Sequence, residues 1–112
     1  MKTFSIKEKS LVAKLAAWKI GGQRGAIVIG RKIHLHGVSI EKILTNERWF
    51  RHELKHVQQF ERYGFFTFIS KYLWHSIFEG YHHCRYEVEA REAEDDDTLI
   101  AQYNLSGKEG WV

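Results

Sequence analysis

No proline occurs anywhere in the 112 residues of this chain, so nothing in it fixes φ or removes a backbone donor, and glycine must supply the breaks between elements. That favours helices and tight glycine turns over proline-rich loops or linkers. A length of 112 residues suits one compact domain, residues 1–112, with little room for a second. An aromatic share of 14%, including 4 Trp, can fill its core, and a single Cys rules out an intrachain disulfide framework.

The formal charge is only +3, from 17 basic and 14 acidic side chains. The basic residues are interspersed with acids in the first half, while 87–97 is strongly acidic. A nucleic-acid binder would cluster its basic residues on one face, so no nucleic-acid partner is expected. The N-terminal stretch lacks the apolar run of a signal peptide, and no uncharged run approaches the ~20 residues of a membrane span. A cytoplasmic chain is the expectation.

Apolar residues at helical spacing predict a first helix over 10–19, stopped by Gly21 and Gly22. Residues 25–36 predict a hairpin or two short strands: Ala26 to Ile29, a turn at Gly30, then Ile33 and Leu35 alternating with His34 and His36. Asn46 is a good N-cap for a helix running to Tyr63 and ended by Gly64. A second helix follows, with Phe65, Phe68, Ile69, Tyr72, Leu73 and Ile77 at i, i+3, i+4 spacing, closed by Gly80. Another is expected from about Tyr86 through the acidic run to about Tyr103, followed by a loose tail from Lys108.

The helix over 47–63 carries His52-Glu53-Leu54-Lys55-His56, an H-E-x-x-H. Residues four apart in an α-helix differ by about 40° in azimuth and about 6 Å in rise, so both imidazoles can reach one metal ion. Glu53, one step round, can reach a water on that ion without ligating it, which is what a general base needs. With 7 His and 11 Glu among the 14 acids, chance would supply roughly 0.04 such motifs. The competing reading is two surface histidines on an amphipathic helix, with Glu53 a solvated charge.

A catalytic zinc needs a third protein ligand and an open position. Downstream candidates are Glu79, His82, His83, Cys84 and the run Glu87, Glu89, Glu92, Glu94. An H-E-x-x-H followed tens of residues later by Glu87-Val88-Glu89-Ala90 resembles the gluzincin branch of zinc metallopeptidases. The resemblance implies Glu87 as third ligand. The wider pattern from Arg51 through Gly64 and Gly80 to Arg91 is similar to small bacterial HExxH domains of unassigned role, over roughly residues 10–94. Tyr86 stands where that branch often has Asn, and Arg91 where it often has the Asp that orients a ligating His. Glu92 or Glu94 could take that orienting role.

The resemblance also implies that the strand before the motif, Ile33, His34, Leu35 and His36, acts as an edge for an extended peptide, an ordinary hairpin being the alternative. One of Tyr81, His82, His83 or Tyr86 could stabilise an oxyanion. Cys84 reads as a small buried hydrophobe. The aromatic stripe Phe65, Phe66, Phe68, Tyr72 and Trp74 reads as core, with an exposed patch for a partner or membrane surface as the alternative.

Together these readings predict a mainly helical α+β, zincin-like domain with a small sheet, the H-E-x-x-H helix and a crossing helix bearing Glu87. The expected function is hydrolysis of a peptide or protein substrate, with Zn²⁺ on His52, His56 and Glu87 and with Glu53 as base. The alternative is a non-catalytic or latent zinc domain acting through a partner protein. About 110 residues leave little room for two cleft walls, which favours that alternative or a domain completed by a partner chain or homo-oligomer.

Overall fold

Alternation of buried and half-buried residues sets the strands: Phe4 and Ile6 in β1 (Lys2–Lys7), Ile33 and Leu35 in β3 (Lys32–His36), all on one face. In this computed structural model, residues 2–19, 24–81 and 83–109 are described, and Gly21, Gly22 and His82 lie outside them. The remaining elements are α1 (Leu11–Lys19), β2 (Gly25–Ile29), α2 (Ile40–Thr45), α3 (Glu47–Tyr63), α4 (Phe65–Glu79), α5 (Arg85–Ala93) and β4 (Tyr103–Glu109). Among the described residues the architecture is α+β: five α-helices, a short 3-10 turn (Ile100–Gln102) and a four-stranded mixed sheet of order β2-β3-β1-β4. β1 runs parallel to both its neighbours, and β2 is antiparallel to β3.

Strand order corrects one expectation. Ile33 to His36 is not a sheet edge, because β1 pairs along its other side in the register Ile6↔Ile33. The edge strand near the H-E-x-x-H helix is β2. Ile33 and Leu35 are fully buried toward α3, and His34 points to the opposite face, where Ser10 Oγ lies 2.9 Å from its Nδ1. That opposite face is covered by α1 through Ala13 and Ala17, the latter close against Gly25 of β2.

Helix α3 begins where Asn46 accepts a hydrogen bond from the Trp49 backbone N–H at 3.2 Å. Its apolar stripe of Phe50, Leu54, Val57 and Phe60 packs on the sheet, and a second buried stripe is polar: Glu53, His56 and Gln59. The polar stripe meets α5, whose small Ala90 lets the two helices approach. Gly64 and Gly80 bracket α4 with nearly identical backbones, φ 83°, ψ 156° and φ 82°, ψ 156°. That region is essentially confined to glycine, so neither turn would form as tightly with a side chain.

Three expectations change. β1, α2 and β4 add to the predicted elements, and β4 occupies residues expected to begin a tail. The acidic helix stops at Ala93, because Arg48 and Arg51 on α3 hold Glu94 and Asp95 beyond its end. The aromatic stripe is not a core stripe: Phe68 alone on α4 is buried, while Phe66 and Trp74 face outward.

Leu54 sits at the centre of the α3–sheet contact and is fully buried. Leu54→Ala should lower the unfolding free energy by about 2–5 kcal/mol, measured by urea denaturation. A loss below about 1 kcal/mol would show that α3 is not anchored there.

Candidate metal centre

Because α3 turns its polar stripe toward α5, three ligating side chains meet between the helices. Each of His52, His56 and Glu87 offers one ligand atom, and these atoms lie within 4.8 Å of one another. His52 Nε2 is 3.1 Å from Glu87 Oε1, and His56 Nε2 is 3.3 Å from Glu87 Oε2. The competing reading of solvated surface histidines fails here: His56, Glu87 and Glu53 are all buried.

Each imidazole is oriented through its other nitrogen. His52 Nδ1 meets Glu94 Oε2 at 2.9 Å, and Glu94 is itself held by Arg48 at 3.2 Å. His56 Nδ1 lies 2.9 Å from Gln59 Oε1, leaving the Gln59 amide to donate to the Tyr86 carbonyl at 3.1 Å and to Glu89 at 2.9 Å. Such partners fix ring orientation and leave both Nε2 atoms facing the common point. For bonds of about 2.0–2.1 Å, as to a small divalent ion such as zinc, tetrahedral ligand atoms sit roughly 3.4 Å apart. The two separations at Glu87 run to its two different oxygens, and one ligand atom from each residue lies within 4.8 Å of the others, a group of two imidazoles and one carboxylate compact enough for one ion. His52, His56 and Glu87 could therefore hold a metal ion.

The electrostatics follow from packing these groups together. Burial works against a charged His52, but hydrogen bonding to Glu87, the field of Glu53 and the contact with Glu94 outweigh it and push the imidazole up to about 9. His56 is likewise raised despite burial, through Glu87. Burial would raise Glu87, yet hydrogen bonds from the two histidines hold it well below the usual carboxylate range. Glu53 is pushed up by burial, against the fields of His56 and His52. It stands beside the ligand group and outside it.

A cleft of about 330 Å³ opens over the centre. Its floor carries His52, Glu53, His56 and Glu87, one wall is β2 from Ala26 to Ile29, and the other includes Phe68, Tyr72 and Leu73 of α4 together with Tyr81. Tyr72 donates its hydroxyl to Glu87 Oε2. Burial and the nearby Glu87 raise both the Tyr72 and Tyr81 hydroxyls, which keeps them protonated donors.

The oxyanion candidates therefore separate. Tyr81 lines the cleft. The Tyr86 ring does not, being buried against Tyr63, Phe68 and His75 because its backbone opens α5 on the core side. His83 is exposed outside the cleft lining, and His82 lies outside the described residues. Cys84 is buried and free, apart from the ligand group. Tyr72 and Gln59 were not anticipated. A hydroxyl within an apolar stripe, and an amide three residues after a ligating His, were the signals available.

The pH dependence of the metal-free protein has a definite sign. The His52 level of about 9 lies above the ordinary 6.5, so its proton stabilises the fold fully below 6.5 and that contribution is lost as pH rises through about 9. Thermal melts in chelator should show stability falling by up to about 3 kcal/mol across this window. A bound divalent ion needs neutral imidazoles, so added metal should reverse the trend. A flat profile in chelator would mean that His52 is unpaired. Comparisons of the chain with known protein families, with curated proteins and with solved structures found no match.

Proposed function

We propose that the chain is a zinc-dependent peptidase of gluzincin-like, zincin-like design. The observation that carries this reading is Glu53, a carboxylate buried beside the ligand group, outside it, and open to the cleft. A purely structural metal site has no use for a base there. Zn²⁺ on His52, His56 and Glu87 would supply Lewis acidity, acidifying a water and polarising a carbonyl.

The chain's own groups account for the other steps. β2 pairs with β3 on one side only among the described residues, so its open edge can accept an extended peptide as an added strand along Ala26 to Ile29. Burial makes Glu53 more basic than an exposed carboxylate, which suits it to take a proton from the attacking water. It would then return that proton to the leaving amine. Tyr81 lines the cleft with a protonated hydroxyl, where a developing oxyanion needs a donor, while the Tyr72 hydroxyl is committed to Glu87. Glu94 and Gln59 orient the imidazoles throughout.

Purified protein should hold about one Zn²⁺ per chain, and His56→Ala should abolish tight binding, read by atomic emission. Glu53→Gln keeps the size of the side chain and removes the base. It should retain zinc and cut cleavage of a mixed peptide library by ~10²-fold or more, followed by mass spectrometry. Equal cleavage by both proteins would sink the mechanism. Zinc bound without cleavage by either would assign the centre to a non-catalytic or latent module.

A further inference from the structure

Helix α4 is built inside out. Its inward side carries Phe68 and Tyr72, while its outward side, spanning roughly 140° of azimuth at 100° per residue, carries Phe66, Leu73, Trp74, Ile77 and Phe78. Phe66 is 82% exposed and Ile77 73%. The same sector holds no charge, only Thr67 and Ser70. Scaled by how far each is exposed, the five apolar side chains of about 150–250 Å² present on the order of 650 Å². The largest apolar patch on a typical monomer is about 300–600 Å².

Charge marks one flank of this face. Lys71 Nζ lies 5.9 Å and the Arg62 guanidinium 5.7 Å from the centre of the Tyr63 ring, and the Arg85 guanidinium lies 5.8 Å from that of Tyr86, the ring in contact with Tyr63. All three cations are exposed, and none forms an ion pair among the described residues. An apolar aromatic face bordered by unpaired cations complements the boundary between acyl chains and anionic headgroups. At 15 residues α4 is about 22 Å long, too short to cross a bilayer core of about 30 Å and suited to lying in its surface. Among the described residues no helix is long and apolar enough to cross a membrane.

We propose that α4 docks the protein on an anionic lipid surface, with Phe66, Trp74, Ile77 and Phe78 entering the interface and Arg62, Lys71 and Arg85 meeting lipid phosphates. This goes beyond the peptidase reading and does not depend on it. Leu73 belongs both to the apolar face and to the cleft wall, so docking holds the mouth of the cleft at the lipid surface.

The test is co-sedimentation of the full chain with vesicles of phosphatidylcholine alone and of phosphatidylcholine with phosphatidylglycerol. Binding is expected to the anionic vesicles and to weaken as salt is raised. Trp74→Ser with Phe78→Ser should weaken it at least tenfold, with the far-ultraviolet circular dichroism unchanged because both side chains are exposed. Replacing Arg62, Lys71 and Arg85 by Gln should weaken it about 100-fold, from roughly fivefold per basic side chain near the surface. Failure to sediment with either vesicle type would overturn the proposal. So would anionic binding indifferent to the Trp74/Phe78 pair, or a sedimentation-equilibrium dimer that Trp74→Ser converts to monomer, which would give the face to a second copy.

Discussion

The two contacts that Glu87 makes, with His52 at 3.1 Å and His56 at 3.3 Å, fix the relation between the two halves of the helical layer. A carboxylate this deeply buried would be strongly unfavourable alone. Two imidazoles and the Tyr72 hydroxyl around it remove that penalty only if α5 crosses α3 at one place and at one rotation. Ala90 keeps the crossing close, and Gln59 reaches from α3 to the Tyr86 carbonyl as a second tie. Beyond the end of α5, Arg51 donates to the Glu94 carbonyl at 2.9 Å while the Glu94 side chain reaches His52. The polar centre therefore acts as the registration mark of the α3–α5 pair.

The sheet serves that centre by fixing the rotation of α3. Phe50, Leu54, Val57 and Phe60 share one face of the helix and bury it on β-strand residues such as Ile33 and Leu35. Once that face is committed, His56, His52 and Gln59, about 100–160° round the helix from its middle, turn toward α5, and Glu53 stands near its border beside Phe60. The antiparallel β2 then extends the sheet past α3, so that its open edge overhangs the same side.

How much of this was legible follows from the range of each signal. The H-E-x-x-H helix was readable end to end, since Asn46, the apolar stripe and Gly64 all lie within the helix or beside it. Glu94 could be anticipated as a partner because it stands seven residues from Glu87, close to two full turns. The edge strand was misassigned because chain order does not determine strand order: β1 inserts beside β3 through pairing that spans some 27 residues of sequence, as between Ile6 and Ile33. β4 was missed for the same reason, its partner being the opposite end of the chain. Periodicity correctly gave α4 as a helix but could not say which side faced inward, since apolar residues ring much of its circumference.

That ambiguity in α4 has a structural counterpart. The helix is held at its first half by rings, Phe68 lying 4.6 Å from Phe60 and 5.1 Å from Tyr86, centre to centre. Further along, Tyr72 ties it to Glu87, and His75 meets the Tyr86 ring at 5.5 Å. Its second half, from Trp74 onward, contributes no buried residue to the core. A helix so placed leans on the centre more than the centre leans on it. The Tyr72 hydroxyl spends its bond on a ligand-group carboxylate, and Tyr86, the residue before Glu87, meets the Phe68 and His75 rings of the same helix. Whatever alters the position of Glu87 is therefore transmitted first to the wall of the cleft, through one hydroxyl and the ring of Tyr86, before it reaches the sheet.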